Sequence, residues 1–161
     1  MKKLRTTILC KACLFLTLLL IGGAVVAQTD YTTFNDYTGN WTDNGSWDGG
    51  TALGTTLGST EAFNVNIYGE ITVDNLVVDG NENVNIIVHD TLIITGNLSV
   101  NTHLVIHVQS EGYLIIRGNF LINSGGEANF DVANNGFLGI KTNYTNSGTE
   151  SGTSNSTPNY V

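Results

Sequence analysis

Leu92-Ile93-Ile94-Thr95-Gly96-Asn97 returns as Leu114-Ile115-Ile116-Arg117-Gly118-Asn119, and again as Leu138-Gly139-Ile140-Lys141-Thr142-Asn143. An earlier copy, Ile71-Thr72-Val73-Asp74-Asn75, is one residue shorter before its Asn. The closing asparagines stand at 75, 97, 119 and 143, spaced by 22, 22 and 24 residues. The match continues beyond each Asn through Leu76-Val77-Val78, Leu98-Ser99-Val100 and Phe120-Leu121-Ile122, with Tyr144-Thr145-Asn146 as a degraded copy. A third run follows in register: Val84-Asn85-Ile86-Ile87-Val88, Leu104-Val105-Ile106-His107-Val108 and Ala128-Asn129-Phe130-Asp131-Val132. Phe63-Asn64-Val65-Asn66-Ile67 is the same run of a preceding turn. Turn residues such as Asp79-Gly80-Asn81 and Asn134-Asn135-Gly136 separate the runs. A period of about 22 residues holding three short strands is the size of one coil of a parallel β-solenoid.

Apolar residues alternate along each run, so one face points into the coil. Leu92, Ile94, Leu114, Ile116, Leu138 and Ile140 line one inner column. Leu98 and Val100 with Phe120 and Ile122 line a second, and Ile86, Val88, Ile106, Val108, Phe130 and Val132 a third. Asn75, Asn97, Asn119 and Asn143 stack at one corner, where side-chain amides can bond along the axis and satisfy the turning backbone. A sandwich of antiparallel strands shares the turn spacing but has no need of a fixed period. The expected fold is therefore all-β: a short parallel β-solenoid of about four coils over residues 61–146. The same alternation leaves Ile93 and Ile115, and Ile87 and Val105, on outer faces that want cover.

The ends read differently. Residues 28–60 carry Tyr31, Phe34, Tyr37, Trp41 and Trp47 and show no match to the period, which suits an aromatic N-terminal cap over the first coil. Residues 147–161 are mostly Ser, Thr, Asn and Gly and read as a fraying last coil or a flexible polar tail.

Residues 1–27 read as a secretory signal peptide. Lys2, Lys3, Arg5 and Lys11 precede an apolar stretch, and Val25 and Ala27 suit the subsites of signal peptidase before Gln28. A retained membrane anchor is the rival reading, and Cys10 and Cys13 stand too early for lipid attachment. Cleavage would leave 161 − 27 = 134 residues with no cysteine and no apolar stretch long enough to span a membrane. Of the 6 Lys and Arg only Arg117 and Lys141 would remain, against all 14 Asp and Glu, for a charge of 2 − 14 = −12. That balance excludes general nucleic-acid binding, which needs a basic surface.

Few residues suggest chemistry. His103 and His107 have the spacing of metal ligands on a helix, but along a strand four residues span about 13 Å. Asp43-Asn44-Gly45-Ser46-Trp47-Asp48-Gly49 offers oxygen ligands, making Asp43 and Asp48 weak candidates for Ca²⁺; the same residues are ordinary turn formers. Asp74, Asp79, Asp90, Glu111, Glu127 and Asp131 share no column in adjacent coils, so no acid pair for glycoside cleavage is legible. Arg117 and Lys141 do share a column, with Thr95 beneath, and suit an anionic sugar or a carboxylate. Trp41 and Trp47 are candidate sugar-stacking rings, although cap packing is the more common role for such residues.

Gly39-Asn40-Trp41-Thr42-Asp43-Asn44-Gly45-Ser46-Trp47 followed by Ile71-Thr72-Val73-Asp74-Asn75-Leu76-Val77-Val78 resembles the opening of secreted, adhesin-like β-helix proteins of Bacteroidota. The resemblance covers roughly residues 37–146 and rests on repeat motifs. It implies export, a place on the cell surface or in the medium, and a non-catalytic adhesive or structural role. The alternative it leaves is a carbohydrate-binding module, or the remnant of a polysaccharide-degrading β-helix enzyme. Implied partners are surface glycans or other cell-surface proteins, and an open solenoid end suits self-association. Such proteins usually continue through many more coils to a type IX sorting domain. Without one before Val161, the sequence reads as a truncated piece of a longer protein or a short periplasmic one.

Overall fold

Alternating sequence becomes alternating burial. Phe63, Val65 and Ile67 are buried while Asn64 and Asn66 between them are half-buried, and Val84–Val88 repeats the pattern. β-Branched and aromatic side chains suit such a one-sided pleated surface. A computed structural model describes residues 29–58, 62–154 and 159–160; the expected signal peptide lies outside them.

The strands come in threes. β1 (Thr29–Thr32), β2 (Thr38–Asn40) and β3 (Thr56–Leu57) form an irregular first coil, interrupted by a 3-10 turn at Asn44–Ser46. Four regular coils follow. They are β4 (Phe63–Ile67), β5 (Glu70–Val73) and β6 (Leu76–Val78); β7 (Val84–Val88), β8 (Thr91–Ile94) and β9 (Leu98–Val100); β10 (His103–Val108), β11 (Tyr113–Ile116) and β12 (Phe120–Ile122); and β13 (Glu127–Val132), β14 (Phe137–Ile140) and β15 (Tyr144–Asn146). β16 (Thr149–Ser154) and β17 (Asn159–Tyr160) continue the stack.

Matching strands of successive coils pair in parallel, giving three sheets: β1-β4-β7-β10-β13-β16, β2-β5-β8-β11-β14-β17 and β3-β6-β9-β12-β15. The registers follow the repeat: Leu92 pairs with Leu114 and Leu114 with Leu138, Leu98 with Phe120, and Ile106 with Phe130. The chain is thus a β-solenoid, and the inner columns merge into one core in which Ile94, Ile116, Leu98 and Ile106 are fully buried. Each such side chain contributes about 1.5–3 kcal/mol of transfer free energy. Ile93 and Ile115 do face each other on an outer face, but Ile87 pairs with His107 and Val105 with Asn85, so Ile87 and Val105 are diagonal neighbours.

The longer coil has a local cause. His103 pairs with Glu127, yet Asn101 and His103 are separated by one residue while Asn123 and Glu127 are separated by three. The surplus is taken up in a turn closed by the Gly126 N–H donating to the Asn123 carbonyl at 2.8 Å, with Gly125 at φ 89°. Only glycine adopts that backbone without strain.

Both ends extend the stack of strands. β1, β2 and β3 pair in parallel with β4, β5 and β6, so the aperiodic N-terminal segment forms a coil of the solenoid as well as its cap. Trp41 occupies the base of the inner column below Val73, because its N–H donates to the Thr72 carbonyl at 2.9 Å as a strand residue would. Thr149–Ser154, expected within a fraying last coil or a flexible tail, pairs with Glu127–Val132 over its whole length. Its backbone groups supply the ladder that its polar side chains do not predict.

Candidate functional site

The outer face of the second sheet gathers the side chains most suited to contact. Thr91, Tyr113 and Phe137 form one outward column, and Thr72, Ile93, Ile115 and Gly139 form the next. Thr95, Arg117 and Lys141 follow the strand ends, their N–H groups donating to the carbonyls of Val73, Ile94 and Ile116, each at 2.8 Å. The expected Thr95-Arg117-Lys141 column is therefore present, and alternation places it beside Ile115 and Gly139 on the same face.

Tyr113 is 45% exposed, and its ring lies 6.0 Å from that of Phe137 at a 40° tilt. Phe137 leans over Gly139: a side chain there would meet its Cε1 at 2.7 Å. Beside the ring lies a hollow of ≈ 200 Å³ lined by Ile115, Phe137, Gly139, Ile140 and Lys141. Arg117 and Lys141 are both exposed. Among the described residues the close contacts between basic and acidic side chains are His103–Glu127 and His107–Asp131, each at 3.3 Å, and neither involves Arg117 or Lys141. Two unpaired cations thus edge an apolar, partly aromatic floor. Tyr113 and Phe137 were not singled out from the sequence. The legible signal was that each directly precedes the inward Leu of its repeat, and so faces outward.

The other expected sites resolve into structural parts. Trp41 is 0% and Trp47 1% exposed, so neither ring has a face open to a sugar, and their expected stacking role is corrected to capping. The rings meet edge to face at 5.0 Å; Trp47 Nε1 donates to the Trp41 carbonyl at 2.6 Å and Trp41 Nε1 to the Gly54 carbonyl at 3.1 Å. The pair closes the core at its N-terminal end with both indole N–H groups satisfied. In the neighbouring loop the carbonyls of Asp43 and Asn44 accept the N–H groups of Ser46 and Trp47, and Asn44 Oδ1 accepts that of Ala52. Those bonds account for the loop as turn structure. Among the described residues no three His, Cys, Asp or Glu side chains, Asp43 and Asp48 included, converge as metal ligands would.

The asparagine column is a ladder. Asn75 Oδ1 accepts the Asn97 N–H at 2.8 Å, Asn97 Oδ1 accepts the Asn119 N–H at 2.9 Å, and Asn143 Nδ2 donates to Asn119 Oδ1 at 3.2 Å. In return the Asn97, Asn119 and Asn143 carbonyls accept the N–H groups of Leu76, Leu98 and Phe120 in the coil below. A second, unexpected ladder runs from Asn85 Nδ2 to Asn64 Oδ1 at 3.0 Å and from Asn64 Nδ2 to Asp30 Oδ1 at 2.7 Å on the first sheet's outer face. His89 stacks on Tyr68 at 4.1 Å, and burial lowers its pKa below the usual 6.5.

No protein-family model, curated protein or solved structure matches this chain.

Proposed function

We propose that this protein is an exported, non-catalytic β-solenoid serving as an adhesin-like or structural element of the cell surface. The reading is carried by one observation: three parallel sheets run coil after coil in register around a common core. Such a stack suits display and contact, because each coil adds surface without altering its neighbours. The apolar N-terminal segment with its small residues before Gln28 supports export.

The test is expression of the full chain in a Gram-negative host, followed by fractionation and N-terminal sequencing. The expected product begins at Gln28 outside the cytoplasm, and beads coated with it are retained on cell or glycan surfaces. A cytoplasmic product that keeps Met1, or release of reducing ends from polysaccharides, overturns the reading.

A second reading, a carbohydrate-binding module, is favoured by the face bearing Tyr113, Phe137, Arg117 and Lys141. Aromatic rings stack on the apolar faces of sugars, and cations hold their charged substituents. Retention on immobilised glycans that disappears in Tyr113→Ser supports it; retention unchanged in that variant removes it.

A further inference from the structure

We propose that the outer face of the second sheet binds a sugar residue carrying an isolated carboxylate on an otherwise neutral glycan. This rests on the carbohydrate-binding reading and specifies its ligand class.

The cations select the charge. After residue 27 the chain holds 2 Lys and Arg against 14 Asp and Glu, and both cations stand in one column on adjacent coils. Adjacent strands lie about 4.8 Å apart, so a single carboxylate placed between the two side chains can meet both. No described carboxylate lies within ion-pair distance of either. In a chain this acidic, two unpaired cations side by side can draw in an anion.

The floor selects the shape. Beside Lys141 the hollow over Gly139 is bounded by Ile115 and the tilted Phe137 ring, with the exposed Tyr113 ring beyond it. An apolar floor edged by cations fits the amphiphilic face of a pyranose whose ring carries a carboxylate. A small inorganic anion makes no use of the floor, and a neutral sugar makes no use of the cations.

The rest of the molecule sets the number of charges. The formal net charge of the whole chain is −8, and its carboxylates include Glu70, exposed in the outward column of Thr91 and Tyr113. A polyanion would have to run its other charges past those carboxylates, and repulsion of that kind discriminates between ligands as strongly as attraction does. The site therefore favours one carboxylate among neutral sugars over a polyuronate.

The probes are a xylo-oligosaccharide bearing one glucuronic acid, its carboxyl-reduced neutral form, and polygalacturonate, each titrated calorimetrically into the full chain. The acidic oligosaccharide is expected to bind at least tenfold more tightly than either of the others. Its affinity should fall with added salt and be lost in the Arg117→Gln/Lys141→Gln double variant. Tyr113→Ser, a change at an exposed ring, should weaken it several-fold while leaving the circular dichroism spectrum unchanged. Tightest binding of polygalacturonate with no effect of Tyr113→Ser means diffuse electrostatic attraction and overturns the proposal. Equal binding of the neutral form unseats the carboxylate but leaves a carbohydrate-binding module standing. Absence of binding by all three overturns the site, while bead adhesion that persists in the double variant keeps the adhesin reading separate from it.

Discussion

The carboxamide oxygen of Asn97 accepts two hydrogen bonds from Asn119, one from its backbone N–H at 2.9 Å and one from its Nδ2 at 3.0 Å. One side-chain atom thus satisfies two donors at the corner of the next coil. Asn97→Ala would orphan both donors, and a partly buried unsatisfied donor costs about 1–3 kcal/mol. Asn143 sits at the top of the ladder, where removing its side chain frees only the exposed acceptor on Asn119. Urea denaturation should show Asn97→Ala destabilised by about 2 kcal/mol and Asn143→Ala by less than about 0.5 kcal/mol. Equal losses would mean that the ladder's bonds carry no stability.

Gly118 precedes the ladder residue of its coil, and its backbone passes so close to Gly96 that a Cβ would overlap the Gly96 carbonyl oxygen. The overlapping atoms are backbone, which cannot yield as the end of a flexible side chain could. Gly118→Ala should therefore destabilise by about 1–3 kcal/mol, the range for forced overpacking. Gly125, with open space around its missing side chain and φ 89°, should lose about 1–2 kcal/mol on the same change through conformation alone. Thermal melts of the two variants check both, and tolerance of alanine at Gly118 would contradict the close approach.

Glu111 has φ 69°, in a turn closed by the Gly112 N–H donating to the Gln109 carbonyl at 2.9 Å. The matching turn of the next coil places Asn135 at φ 68°. Asparagine tolerates this left-handed backbone, whereas for glutamate it costs about 1–2 kcal/mol. Glu111→Gly relieves that strain, less about 0.4–1 kcal/mol for the freer unfolded chain. The midpoint of urea unfolding should rise, by up to about 1 kcal/mol of stability. An unchanged or lower midpoint would show that Glu111 makes a contact outweighing its strain.

His89, stacked on Tyr68, has its pKa lowered from 6.5 by burial, so the folded state favours the neutral ring. Below pH 6.5 the unfolded chain binds the proton first, and the folded chain follows only at lower pH. The stability tied to this residue is therefore complete above that value and declines as pH falls towards the lowered pKa. Subtracting the pH–stability curve of His89→Gln from that of the parent isolates the effect. The difference should shrink on going from pH 8 to pH 5, and a flat difference would sink the assignment.

Much of this architecture is legible along one dimension. The period of the Leu-x-Ile-x-Gly-Asn repeat dictates how many residues close a coil, and alternation dictates which side chains enter it. Leu92, Leu114 and Leu138 lie in one inner column, and Asn97 under Asn119, because parallel stacking converts a sequence interval into a position along the axis. Those relations are local and repeated, and a period reports them directly.

Where the period breaks, the outcome depended on partners distant in sequence. Trp41 and Trp47 read as sugar platforms or, more commonly, as cap packing, and the structure buries both rings edge to face at the N-terminal end of the core. Thr149–Ser154 has no apolar alternation, and became a strand because the edge of Glu127–Val132 offered it a full ladder of backbone partners. The hollow beside Lys141 is set by neighbours from two coils, with Gly139 opposite Ile115 and the Phe137 ring leaning over it. Hydrogen-bonding edges, core openings and missing side chains act through space, so they take their meaning from what the fold sets beside them.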